Sequence, residues 1–223
     1  MPPGRKPILC YVTDRRAFEG DHAPSGELAA PVIQALREAI RNAAASGVDW
    51  IQIRERDLET RTLAGLVQLA IADTHGFGTR ILVNDRLDVA LATGAAGIHL
   101  GEKSWPLETV AEWRRSSGRA DFRIGVSCHS LEVARAAERG GADYLFFGPV
   151  FATPSKAAFG LPQGIASLRA ACASVGVPVL AIGGVSLENA GSCIASGAAG
   201  VAAIRVFQEA RNLDTVVAEL RGN

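Results

Sequence analysis

Asp143 to Lys156, DYLFFGPVFATPSK, is the stretch from which the rest of the chain can be read. Its apolar core, Tyr144-Leu-Phe-Phe147, is too short for a helix and is bounded by Gly148-Pro149, the pattern of a buried strand with an abrupt end. Past that end come Thr153, Ser155 and Lys156, two hydroxyls and an ammonium on a loop at the strand's carboxyl end. Such a loop suits phosphate or pyrophosphate. Taken alone it reads first as an ordinary polar loop, since Ser, Thr and Pro are common turn residues, so its place in the fold decides.

Working outward, the same phrase of apolar run, polar stop and helix-spaced segment recurs on both sides. Upstream it reads Ile8 to Thr13 before Asp14, with a helix opening at Pro31. It reads again in Val48 to Ile53 before Arg54-Glu55-Arg56, with helical spacing in Leu63, Leu66, Val67 and Ala70. Arg80 to Val83 precedes Asn84-Asp85 and an Ala/Leu-rich helix to Thr93. Gly97 to Leu100 precedes Gly101 and a helix from about Pro106. Arg123 to Val126 runs into Ser127-Cys-His129, and Ser130 with Glu132 suits the start of the following helix. Downstream, Val177 to Ile182 ends at Gly183-Gly184 before a helix near Ser186, and Gly200 to Ile204 ends at Arg205 before a terminal helix from Leu213. The phrases AAASGVD, RGGAD and ASGAA precede strands two, six and eight, where glycine ends a helix and the next strand begins. Eight such units predict a single-domain (β/α)8 TIM barrel over residues 1–223.

The bulk composition agrees with a soluble globular domain, at 48% hydrophobic and 21% charged residues. Lys plus Arg and Asp plus Glu both number 23, so the net charge is zero and gives no broad pull toward nucleic acid or an anionic membrane. Any anion has to be held locally. The four cysteines are isolated and lack metal-type spacing, which speaks against a disulfide framework. The amino terminus lacks the apolar run of a signal peptide and no later run reaches membrane-spanning length, so a cytoplasmic protein is expected. The oligomeric state is open, a homo-oligomer included.

In a parallel barrel the loops at the carboxyl ends of the strands converge on one mouth. That rule gathers Asp14, Gln52, Arg54, Arg56, Asn84, Asp85, Glu102, Ser104, Ser127, His129, Thr153, Ser155, Lys156, Gly183, Gly184 and Arg205. Gln52 and Arg54 alternate with Ile51 and Ile53 and so share a face, with Arg56 following on the loop. These arginines read either as structural partners of Glu55 or Asp85, or as forks for phosphate oxygens. Asn84-Asp85 by itself reads first as a helix N-cap, and it also offers the oxygen donors magnesium prefers. Gly183-Gly184 exposes backbone amides beside a helix start, an anion site. His129 reads as an acid or base at the mouth or as a structural hydrogen-bonder, and His99, inside strand four, as core or as support for the site.

Across nearly the whole chain the sequence resembles thiamine-phosphate synthase: YVTD (11–14), IQIRERD (51–57), VNDRLDVALATGAAGIHLG (83–101), IGVSCHS (124–130), GADYLFFGPVFATPSK (141–156), PVLAIGGV (178–185) and GAAGVAAI (197–204). The resemblance implies a (β/α)8 barrel that joins a pyrimidine pyrophosphate, 4-amino-5-hydroxymethyl-2-methylpyrimidine pyrophosphate, to thiazole phosphate with release of pyrophosphate and with magnesium. It implies contacts from Gln52, Arg54, Arg56 and Asn84 to the pyrimidine pyrophosphate, with Ser127 and Arg205 also on the substrate side. Asp85 would be a magnesium carboxylate, Thr153, Ser155 and Lys156 a pyrophosphate loop, and the Gly183-Gly184 amides a thiazole phosphate site. Arg54, Lys156 and His129 are the residues expected to carry the chemistry. Three positions depart from the pattern: Ser104 stands where a second magnesium aspartate is expected, Arg56 replaces a lysine and Arg205 replaces a serine. Glu102, on the same loop as Ser104, is the candidate replacement metal ligand. RER at 54–56 and Ser104 also resemble the related thiazole tautomerase, a metal-free proton-transfer enzyme in which the position of His129 moves the proton. A non-catalytic barrel that binds a thiamine precursor is the third reading.

Overall fold

The computed structural model describes residues 6–19, 29–101, 104–153 and 161–222. Eight parallel strands close on themselves in chain order: β1 (Ile8–Val12), β2 (Trp50–Ile53), β3 (Arg80–Asn84), β4 (Gly97–Leu100), β5 (Arg123–Cys128), β6 (Tyr144–Phe147), β7 (Val179–Ile182) and β8 (Gly200–Ala203). The last pairs with the first through Ile8↔Gly200 to Tyr11↔Ala203, which removes any sheet edge. Between and after the strands run α1 (Ala30–Ala45), α2 (Thr60–Asp73), α3 (Leu87–Thr93), α4 (Leu107–Ser116), α5 (Leu131–Gly140), α6 (Gly164–Ser174), α7 (Leu187–Ala195), the short α8 (Arg205–Gln208) and α9 (Leu213–Leu220). The (β/α)8 architecture expected from the repeated phrase is the architecture found.

The two-residue period of each strand divides the core into two. Leu9, Tyr11, Ile51, Ile53, Ile81, Val83, Leu145 and Phe147 face outward and are buried beneath the helices. Cys10, Val12, Leu82, Tyr144, Phe146, Leu180 and Ala202 face inward and fill the barrel, with Ile8, Trp50, Ile182 and Ile204 against them. The barrel is therefore a packed core and not a pore. Its widest filling is aromatic, and Gly125 makes room for it: a Cβ there would lie 2.0 Å from the Tyr144 ring.

The recurring phrase before strands two and six has a physical reason. In each, the helix ends, a positive-φ glycine turns the chain (Gly47 at 87°, Gly141 at 98°), and an aspartate follows just ahead of the strand. Asp49 Oδ2 accepts from the Leu9 amide at 2.7 Å, and Asp143 Oδ2 accepts from the Ile124 amide at 2.7 Å, so each carboxylate ties its strand's entry to the preceding strand. Each is neutralised by an arginine, Asp49 by Arg221 at 3.0 Å and Asp143 by Arg114. Before β8 the aspartate is replaced by Ala199, which keeps the backbone bond to the following strand that Asp49 also makes (Ile8 amide to the Ala199 carbonyl and Arg80 amide to the Asp49 carbonyl, both 2.9 Å) and lacks the carboxylate's tie to the preceding one. Among the described residues, no helix is long and apolar enough to cross a membrane.

Candidate functional site

At the carboxyl end of β2 the inward face continues from Trp50 through Gln52 to Arg54, because Ile51 and Ile53 are committed to the outer core. Gln52 is buried, and its Nε2 donates to Asn84 Oδ1 at 3.4 Å across to β3. Arg54 stands above it, partly buried, and its backbone amide donates to Thr13 Oγ1 at 3.0 Å.

Glu55, next to Arg54 in the chain, belongs to another arginine. Arg15 is fully buried in a single 3-10 turn, Arg15–Phe18, directly after β1. Its Nη1 reaches Glu55 Oε2 at 3.3 Å and Asp57 Oδ1 at 2.6 Å, and its Nη2 reaches Asp57 Oδ2 at 2.8 Å. Thr13 Oγ1 donates to Glu55 Oε1 at 2.6 Å, and the Arg15 amide donates to the same carboxylate at 3.2 Å. Burial raises the Glu55 pKa, opposed by these hydrogen bonds. Of the two readings of the strand-two arginines, pairing with Glu55 or Asp85 is not what Arg54 does: Glu55 is bound to Arg15 and Thr13, and among the described residues no carboxylate lies within ion-pair distance of Arg54. Burial, followed by the positive charge of exposed Arg56, holds the Arg54 pKa below its ordinary value, with Asp14 and Glu55 acting only at longer range in the opposite sense. A desolvated guanidinium facing like charge is a site that an anion stabilises.

Asn84 ends β3 and Asp85 follows with φ of 68°, the one non-glycine residue in the left-handed region among those described. Its amide donates to the His99 carbonyl at 2.9 Å, and the Arg86 amide donates to the Asn84 carbonyl at 2.8 Å, so the twist is held from both sides. The N-cap reading of this pair is corrected: the N-cap of α3 is Arg86, and neither Asn84 nor Asp85 caps the helix with its side chain. A strained aspartate at the mouth is the kind of outlier that marks a working position.

On β4 and β5, His99 Nε2 lies 2.9 Å from Ser127 Oγ, and His99 Nδ1 lies 3.1 Å from the Tyr144 hydroxyl. His129, just past β5, is anchored through Nδ1 to the Gly148 carbonyl, which accepts and so makes Nδ1 the protonated nitrogen. Ser104 Oγ accepts from the Gly101 amide at 2.6 Å, closing its own loop.

The chain leaving β6 runs along the end of β7. The Val150 amide donates to Ile182 and the Phe151 amide to Gly183, both at 2.9 Å, bringing Thr153 to the same rim. This close approach requires glycine: Gly183 and Gly184 have φ of 90° and 67°, and a Cβ on Gly183 would fall 2.5 Å from Pro149 while one on Gly184 would fall 2.6 Å from the Ala152 carbonyl. Beyond them the Ser186 amide is taken by Asn189 Oδ1 at 2.9 Å, whereas the Gly184 and Val185 amides donate to no other described residue. They sit ahead of α7, where the helix dipole adds to their pull on an anion. Arg205 is exposed as the first residue of α8, with no carboxylate paired to it among the described residues.

Thus Gln52, Arg54, Arg56, Asn84, Asp85, Ser127, His129, Thr153, Gly183, Gly184 and Arg205 all stand at the carboxyl rim. Glu102, Ser155 and Lys156 lie outside the described residues. Among those described, no group of three or more His, Cys, Asp or Glu side chains is arranged to hold a metal. Two contributors went unread in the sequence. Arg15 sits in a loop with no motif, and Tyr144 reads as one more apolar strand residue. The signal for Tyr144 is its period: it shares the inward face with Phe146, two residues before the mouth.

Comparison with known proteins gives a consistent picture. Residues 28–207 match the family model described as thiamine monophosphate synthase. A thiamine-phosphate synthase of Moorella thermoacetica is 41% identical over 83% of this chain and 90% of that protein. One of Chlorobium luteolum is 37% identical over 95% of this chain and 90% of its own length. Among solved structures, the thiamine phosphate pyrophosphorylase of Pyrococcus furiosus superposes with a TM-score of 0.78 at 32% identity, covering 96% of this chain and 94% of that one. A 3-hexulose-6-phosphate synthase, at 18% identity and a TM-score of 0.62, shares the fold alone.

Proposed function

Since the chain belongs to the thiamine monophosphate synthase family, we infer that its barrel is a transferase that joins hydroxymethylpyrimidine pyrophosphate to thiazole phosphate and releases pyrophosphate. One observation carries the assignment onto this chain's own residues. Arg54 is a desolvated cation at the mouth; Glu55, beside it in the chain, is bound by Arg15, and among the described residues no carboxylate lies within ion-pair distance of Arg54.

In the reaction the bond between the pyrimidine's methylene carbon and the pyrophosphate oxygen breaks, the electron pair leaves with pyrophosphate, and the thiazole nitrogen bonds to the carbon. The barrier is lowered by whatever stabilises negative charge on the departing group. Arg54 and Arg56 supply that stabilisation, Gln52 and Asn84 orient the pyrimidine beneath them, and Thr153 with Ser155 and Lys156 completes the pyrophosphate cradle. The Gly184 and Val185 amides, with Arg205 from the end of the neighbouring strand β8, take the second phosphate, that of the thiazole.

Asp85 fits magnesium as a single rim carboxylate, since this ion takes one or two protein carboxylates and fills its shell with water and substrate oxygens. Asp85, with Glu102 from the next loop, would hold it, and the ion would add positive charge at the pyrophosphate. The four cysteines are unbridged, which suits the reducing cytoplasm where we place the reaction.

The direct test incubates the protein with both phosphorylated substrates, with and without magnesium, and measures thiamine phosphate and pyrophosphate. Equal amounts of the two products are expected. Asp85→Ala should raise the magnesium needed for half-maximal rate by roughly tenfold. Absence of product at high enzyme concentration would sink the synthase reading and leave the tautomerase, for which His129 is the proton carrier.

A further inference from the structure

Inside the barrel, below the residues given roles above, lies a polar line in an otherwise apolar core. Tyr144 is buried, its ring 4.7 Å from Trp50 and 5.5 Å from Phe146, in space left open by Gly125. Its hydroxyl meets His99 Nδ1 at 3.1 Å, and among the described residues it has no other hydrogen-bond partner. His99, also buried, stacks 4.2 Å from Phe146 and meets Ser127 Oγ with Nε2 at 2.9 Å. Ser127 Oγ likewise has no second partner among the described residues.

Two hydrogen-bond directions are open to a neutral imidazole in this line. If Nδ1 carried the proton, it would donate to Tyr144, and the phenol O–H would then have no acceptor in an apolar core, a cost of about 1–3 kcal/mol. If Nε2 carries it, the phenol donates to Nδ1 and Nε2 donates to Ser127, and every buried donor is satisfied. The imidazole is neutral in either case: burial, and then the charges of Arg54 and Arg56, push the His99 pKa down to about 3.

We propose that Tyr144 and His99 are positioning residues for the synthase reaction, which fix Ser127 Oγ as an acceptor on its barrel side and so aim its hydroxyl proton into the mouth, toward an acceptor atom of the bound substrate. A serine hydroxyl ordinarily turns to donate or accept as its neighbours demand. Here one lone pair is occupied by a donor that Tyr144 has locked in place, and the remaining O–H points at the substrate. The direction is set before substrate arrives, which is how a donor aids the transition state without reorganising.

This proposal rests on the synthase assignment for its kinetics but not for its structure, and two measurements separate them. Nitrogen-15 NMR of histidine-labelled protein without substrate reads the His99 tautomer directly. The Nε2–H form is expected, and a Nδ1–H form overturns the proposal whatever the protein catalyses. The second measurement is a double-mutant cycle between Tyr144→Phe and Ser127→Ala, scored on kcat and KM. Tyr144→Phe alone is expected to lower kcat about tenfold with little change in KM, the size of one lost charge-directing contact. In the Ser127→Ala background the same change should cost less than twofold. An equal loss of kcat in both backgrounds would show that Tyr144 serves packing alone. If the unsubstituted protein makes no thiamine phosphate, the synthase reading falls while the tautomer still decides the hydrogen-bond line.

Discussion

The two rims of this barrel use charge in opposite ways. At the amino-terminal rim, Asp49 and Asp143 each bind a strand amide and each meet an arginine, so these two carboxylates are matched and lace neighbouring strands together. At the carboxyl rim, Arg15 collects Glu55 and Asp57, and Arg54, which faces the mouth, has no carboxylate within ion-pair distance among the described residues. The first rim spends its charge on stability. The second holds charge in reserve, at an energetic cost that a ligand's phosphates can offset. The contrast matches the division expected of this fold, with chemistry at the carboxyl ends of the strands and stability at the other face.

The sharpest way to break the comparison is to remove Arg54. Arg54→Ala should lower kcat/KM by about 100- to 1,000-fold, the range for losing a donor that stabilises a departing anion. Its thermal midpoint should be unchanged or raised, because the substitution deletes a partly buried cation that has no carboxylate within ion-pair distance among the described residues. Steady-state kinetics beside a calorimetric melt checks both halves. Activity within threefold of the unsubstituted protein would show that the anion is held elsewhere.

The opposite pattern is expected at the other rim. Asp143→Ala leaves the Ile124 amide and the Arg114 guanidinium without their partner, which should cost about 2 kcal/mol of stability, or about 4–8 °C in a domain of this size. Its kcat should stay within twofold, because the mouth lies at the far end of β6. A large loss of activity with an unchanged melt would invert the assignment of the two rims.

How much of this was legible in the sequence follows from how far each feature depends on neighbours in the chain. The barrel was legible because each strand is bounded within a few residues by its own glycine or polar stop, and because GVD and GAD recur where a helix hands over to a strand. The inward placement of Gln52 and Arg54 was legible from the alternation with Ile51 and Ile53. What makes Arg54 special was not, since it depends on Arg15, some 40 residues earlier, reaching Glu55 first. The left-handed backbone at Asp85 was hidden for a similar reason: nothing in VNDRLD distinguishes a strained aspartate from a helix cap, and the backbone bonds that hold it come in part from His99 on β4. Tyr144 was counted as apolar because its hydroxyl matters only once β4 and β5 bring His99 and Ser127 beside it.

The smallest expected effect concerns the Arg15 cluster, which makes the carboxyl rim's open charge possible. Hydrogen bonds from Arg15, against the opposing effect of burial, hold the Asp57 carboxyl well below the ordinary carboxylate range. A carboxyl whose pKa is depressed on folding adds stability above its unfolded value, about 3.9, and loses that contribution as pH falls toward the folded value. Glu55 works the other way: burial raises its pKa, so its ionised form opposes folding, and acid relieves the opposition. In the intact protein the two partly cancel on the acid side. Asp57→Asn removes the first and leaves the second, so its stability deficit relative to the unsubstituted protein should be constant above about pH 5 and shrink as pH falls below about 4. Urea melts at steps across that range give the difference directly. A deficit that grows in acid would mean that folding raises the Asp57 pKa, and so that Arg15 does not hold this carboxylate ionised.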